Sequence, residues 1–191
     1  MSKILILNGN PKAESLCKAI AQAYASTALE AGHEVQSIHI ADLQMDFDPP
    51  NYRATTLTEG WVKEVQAALV WSEHVVIVTP LWWGGVPAQL KHLFDRVLLP
   101  GFAFRYRKDS VWWDRLLKGR SARVIVTADT PPLYFRWVLG WPLVRQLKRQ
   151  ILGFCGFDPV QFTVFGPVRN SSQETRKGWL AQTNKLARHA L

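Results

Sequence analysis

The sequence predicts a three-layer α/β/α fold built on a doubly wound, five-stranded and mostly parallel sheet. Short apolar runs of strand length recur along the 191 residues, and stretches of helical spacing fall between them. Parallel strands joined by such short connections require right-handed helical crossovers. A 48% hydrophobic content is enough for one core, and no repeat or linker interrupts it, so a single domain over residues 1–191 is expected.

Ile4 to Leu7 is a continuous apolar run, followed by the turn-rich Asn8-Gly9-Asn10-Pro11. Leu16, Ile20, Ala23 and Thr27 then fall at helical spacing, with Gly32 placed for a left-handed C-cap. Val35 to Ile40 alternates as a second strand. Pro49 and Pro50 make the segment 46–56 a loop, after which Thr56 and Glu59 have capping-box spacing for a helix carrying Trp61, Val65 and Leu69.

His74 to Val78 is apolar on both faces, as a central strand covered by two helical layers would be. Pro87 suits a first turn, ahead of the stripe Leu90, Leu93, Phe94, Val97 and Leu98. Phe102 to Lys118 reads as an aromatic and basic excursion, and Ala122 to Thr127 as the fourth strand. Pro131-Pro132 opens a loop, Leu143, Leu147, Ile151 and Phe154 mark a helix, and Val160 to Phe165 is the fifth strand. The last helix runs from Gly178 to Ala190.

The composition excludes several classes of function. The N-terminal apolar run is too short for a signal peptide or membrane span, so a cytoplasmic protein is expected. Cys17 and Cys155 lack CxxC spacing, and the five histidines show no metal-binding pattern, so neither a disulfide framework nor a metal is expected. Both thiols read better as packing than as nucleophiles. The net charge of +8 includes two small basic groups, Arg105, Arg107 and Lys108, and Arg145, Lys148 and Arg149. Neither matches a nucleic-acid motif, so no nucleic-acid partner is expected.

In doubly wound sheets, ligands bind at the carboxyl ends of the strands, which directs attention to three loops. The first leads through Asn10 to Ser15 into a helix N-terminus, where free N–H groups and the dipole can hold a phosphate; Ser15 reads equally as a plain N-cap. The second exposes Trp82 and Trp83 between Pro80, Gly84 and Gly85, which suits stacking on a planar ligand or the cover of a core or subunit interface. The third follows Thr127. Beyond it, Leu133 to Leu143 is unusually apolar and must be covered; a second subunit is the expected cover, ahead of the roof of a pocket or a membrane surface.

The run Pro80-Leu81-Trp82-Trp83-Gly84-Gly85-Val86-Pro87-Ala88-Gln89-Leu90-Lys91, with Phe94-Asp95-Arg96-Val97 and Gly101-Phe102-Ala103-Phe104, resembles the NAD(P)H:quinone oxidoreductase family. Asn10-Pro11 with Ser15, and the segment Ile151 to Phe157, extend the likeness over nearly the whole chain. The resemblance implies a flavodoxin-like, homodimeric flavoenzyme using FMN or FAD, with NADH or NADPH and a quinone-like acceptor taking turns in one pocket. It implies that Asn10, Ser15, Leu16 and Cys17 surround the flavin phosphate. Pro80, Leu81, Trp82, Trp83 and Gly84 would line the ring, and Thr127, Ala128 and Asp129 would close the pocket. Tyr134 would stand near the family's catalytic tyrosine, or else be a loop residue packed on Phe135 and Trp137. Two departures concern the acid/base group: the usual glycine pair after the fourth strand is Ala128-Asp129-Thr130-Pro131-Pro132 here, and the family's downstream histidine has no counterpart. A second class of function, also seen in the fold, is a regulatory flavoprotein that binds a membrane transport partner.

Overall fold

A computed structural model describes residues 1–45 and 60–190. Its main sheet has five strands in the order β2-β1-β3-β6-β7, every neighbouring pair parallel. These are β1 (Lys3–Asn8), β2 (Glu34–His39), β3 (His74–Pro80), β6 (Ser121–Thr127) and β7 (Val160–Phe165). All seven residues of β3 are buried, in keeping with its place in the middle of the sheet. The strand period of two divides the core. Leu5, Leu7, Val75, Ile77, Val124 and Val126 face one helical layer, whereas Ile4, Ile6, Val76, Val78 and Ile125 face the other.

The second layer is made by α1 (Leu16–Glu30) and α7 (Gln173–Arg188), through Cys17, Ile20, Tyr24 and Ala187. The first is made by α2 (Gly60–Trp71), α3 (Ala88–Val97) and a helical stretch beginning at Pro142. Gly32 has φ of 84°, the left-handed conformation its position predicts after α1. The proline-bearing segment 46–56 and the Thr56–Glu59 capping pair lie outside the described residues.

Several expectations need correction. The Phe102 to Lys118 excursion contains an antiparallel hairpin, β4 (Phe104–Tyr106) with β5 (Trp113–Arg115). Pro132 opens a short helix, α4 (Pro132–Trp137), since a proline costs nothing at a first-turn position. The helix expected across Leu143 to Phe154 is α5 (Pro142–Arg145), a π-helical stretch (Gln146–Leu152) and α6 (Gly153–Cys155). Its π register is closed by the Gly153 N–H, which donates to the Lys148 carbonyl; a Cβ at Gly153 would collide with that same oxygen. The final helix starts at Gln173, because the Ser172 side chain caps it by accepting from the Thr175 N–H at 3.1 Å.

At the amino ends of the central strands, His74 is buried and its Nδ1 lies 2.7 Å from the Ser121 hydroxyl. Burial, with help from the charges of Arg123 and His33, lowers its pKa from 6.5 to about 4. The unfolded chain therefore takes up a proton below its ordinary pKa while the native ring stays neutral. This contributes stability that is fully present above 6.5 and lost as pH falls toward 4. The loss is expected to approach about 3 kcal/mol. Urea midpoints measured across that interval should fall for the parent, and the fall should be smaller for His74→Asn.

Candidate functional site

Three strand ends converge where the sheet order predicts. The loop after β1 is stiffened by its own asparagines: the Asn10 N–H donates to Asn8 Oδ1 at 3.2 Å, and the Lys12 N–H donates to Asn10 Oδ1 at 3.0 Å. Gly9 packs directly under α3, and a Cβ there would force the Leu90 side chain to shift. The chain then enters α1, whose N-cap Ser15 accepts from the Lys18 N–H at 3.2 Å. Ser15 is therefore the cap that its position allows. No acidic residue sits in the first helical turn, which leaves the positive dipole end uncompensated from within the helix.

The thiol of Cys17 lies 3.2 Å from Thr127 Oγ1 at the end of β6, and Asn10 also bonds to it. Burial raises the Cys17 pKa despite both hydrogen bonds, and burial pushes Cys155 up to about 12. Neither is a thiolate nucleophile at neutral pH. The Thr127 carbonyl in turn accepts from the Leu81 N–H at 2.8 Å. Asn10, Cys17, Thr127 and Leu81 thus tie the three loops into one unit. Asn10, Cys17, Thr127 and Ala128 are buried, so they frame the site from beneath.

Above that frame, the Pro80–Gly85 loop closes on itself. The Trp82 N–H donates to the Gly85 carbonyl at 3.0 Å and the Gly85 N–H returns a bond to Trp82 at 2.9 Å. Between them Trp83 and Gly84 have φ of 50° and 78°, the paired positive angles of a two-residue I′ turn. A tryptophan in that conformation is strained, and Trp83 is fully exposed, with no packing to offset the strain. Trp82 is exposed beside it. An aromatic pair held in water on a strained turn is the arrangement expected of a stacking surface.

Ala128 and Asp129 are fixed by a loop that the sequence reading missed. The Val168 N–H donates to the Ala128 carbonyl at 3.0 Å, and the Arg169 N–H donates to Asp129 Oδ1 at 2.7 Å. The one sequence sign of this support was Gly166-Pro167 directly after β7. Tyr134 is half-exposed on α4, while its neighbour Phe135 is the buried anchor of that helix. α4 is thus anchored by Phe135 rather than by Tyr134.

A family model described as flavodoxin-like fold matches residues 2–187. An uncharacterized NAD(P)H oxidoreductase of Haemophilus influenzae is 32% identical over 108 residues, 56% of this chain and 52% of that protein. An FMN-dependent NADH:quinone oxidoreductase of Ruegeria pomeroyi is 28% identical over 145 residues, 67% of this chain and 71% of its own length. The chain thus spans about half the length of the first of these curated relatives. Among solved structures, a Streptococcus mutans protein superposes with a TM-score of 0.83 at 28% identity, covering 98% of this chain and 99% of its own.

Proposed function

The chain belongs to the flavodoxin-like fold family, and we propose that it is an NAD(P)H:quinone oxidoreductase that works through a bound FMN. The reading is carried by Trp82 and Trp83, exposed on a strained I′ turn that follows β3, the parallel neighbour of β1, whose own loop leads into the N-terminus of α1. That pairing suits a ligand with a planar ring at one end and a phosphate at the other. It is also consistent with the relative named as FMN-dependent. Asn10, Ser15, Leu16 and Cys17 would surround the phosphate, with the backbone N–H groups of Ser15, Leu16 and Cys17 donating to it and Asn10, whose own N–H is taken by Asn8 Oδ1, holding the loop in shape. Pro80, Leu81, Trp82, Trp83 and Gly84 would carry the ring, bounded by Thr127, Ala128 and Asp129.

When bound, the flavin supplies a two-electron relay that takes hydride from NAD(P)H and passes it to a quinone. Overall, NAD(P)H, a proton and a quinone give NAD(P)⁺ and a quinol. The chain's own part would be to orient and to exclude water, and the Tyr134 hydroxyl would donate a hydrogen bond to the quinone oxygen as negative charge grows there. We propose further that residues 1–191 form one cytoplasmic domain. It would pair with a second copy across the groove of about 500 Å³ between α3 and the π-helical stretch, lined by Phe94, Leu98, Phe104, Tyr106 and Phe154. Among the described residues no helix is long and apolar enough to cross a membrane.

Titration of the apoprotein with FMN and with riboflavin tests the site. FMN should bind about tenfold or more tightly than riboflavin, because only FMN uses the helix N-terminus, where favourable charge is worth about 1–2 kcal/mol. Equal affinities would remove the phosphate seat.

A further inference from the structure

We propose that the face formed by α4 and the turn into α5 seats the protein on an anionic lipid surface. Leu133, Trp137 and Val138 are 72%, 73% and 63% exposed, and Leu139 is exposed after them. So much contiguous apolar surface is unusual on a soluble protein unless something covers it. Around it stand cations. The guanidinium of Arg136 lies 4.8 Å from the Trp137 ring and 5.1 Å from the Trp141 ring. A Cβ at Gly140 would come within 4.0 Å of Arg145 Nη1, which places that guanidinium against the turn. Lys148 and Arg149 are exposed one turn further on.

Charge selects the occupant. No acidic residue falls between Asp129 and Asp158, whereas Arg136, Arg145, Lys148 and Arg149 all lie there. A second copy docked by this face around a two-fold axis would set these cations against their own images. An anionic bilayer meets them with opposite charge, while the tryptophans and aliphatic side chains take the interfacial positions such groups favour.

The seat also adjoins the strand-end site, since a Cβ at Gly84 would lie 3.8 Å from Pro142 at the start of α5. Resting on the reductase reading above, the docked protein would meet quinones dissolved in the bilayer as acceptors.

The test is flotation of the purified full chain with vesicles of phosphatidylcholine alone, or of phosphatidylcholine mixed with phosphatidylglycerol. The protein should float with the mixed vesicles only and be released as salt is raised. Arg145→Gln and Arg149→Gln should each weaken partitioning about fivefold. Trp137→Ser should weaken it too, with its thermal unfolding unchanged, and Lys185→Gln on the distant α7 should have little effect. Absence of flotation at low salt, or equal losses from Lys185→Gln, would overturn the proposal. So would a Trp137→Ser protein that falls from dimer to monomer, which would assign the face to a second copy. Flotation is read without flavin, nicotinamide or quinone, so a protein that floats but takes up no flavin keeps the seat and loses only the bilayer quinone as acceptor.

Discussion

Gly166→Ala is expected to destabilise the fold by about 3 kcal/mol and to weaken flavin binding with it. A Cβ at Gly166 would lie 2.5 Å from the Ala128 carbonyl oxygen and 3.2 Å from that of Thr130. Both obstacles are backbone, so relief requires moving either residues 128–130, the third wall of the site, or the loop after β7 that anchors them. Gly178→Ala is the control. Gly178 lies inside α7 with open space where a Cβ would go, so alanine should stabilise by up to about 1 kcal/mol through helix propensity alone. Urea denaturation and FMN titration of both variants check the pair. A Gly166→Ala protein of parental stability and affinity would mean that the Ala128–Thr130 wall does not depend on the loop after β7.

Trp83→Gly should separate stability from binding. The side chain is fully exposed and its backbone is left-handed, so glycine relieves strain without losing packing, for a gain of about 1 kcal/mol. If Trp83 stacks on the flavin ring, the same substitution removes about 1–3 kcal/mol of binding, or roughly five- to 150-fold in affinity. A more stable protein with weaker FMN binding is the expected result, read from thermal unfolding of the apoprotein and from flavin fluorescence. Unchanged affinity would show that Trp83 covers something other than the ring.

The sheet was legible because its signal is local and repeated. β1, β3 and β6 are short apolar runs bounded by turn residues, β2 shows itself by alternation, and the buried run at His74 to Val78 marked the central strand. The three loops that meet at the strand ends followed from topology. What stayed hidden depended on contacts distant in sequence. The Ala128 and Asp129 anchors come from Val168 and Arg169, 40 residues away. The hairpin of β4 and β5 is pinned by Trp113, whose ring stacks on Phe154 at 4.3 Å and whose Nε1–H donates to the Phe154 carbonyl at 2.8 Å. No periodicity announces either. The π register rests on one glycine in a stretch whose apolar spacing reads as ordinary helix, and the I′ turn was obscured by a tryptophan in a place that usually takes asparagine, aspartate or glycine. That last mismatch is also the strongest pointer to function, since a local rule is broken there with no packing gained.

The most direct test of the central claim is anaerobic spectroscopy of the FMN-loaded protein. NADH or NADPH should bleach the flavin bands, and a stoichiometric benzoquinone added after removal of the nicotinamide should restore them with formation of hydroquinone. Failure of the protein to take up FMN or FAD, or a bound flavin that neither nicotinamide reduces, would contradict the account and leave the fold without this chemistry.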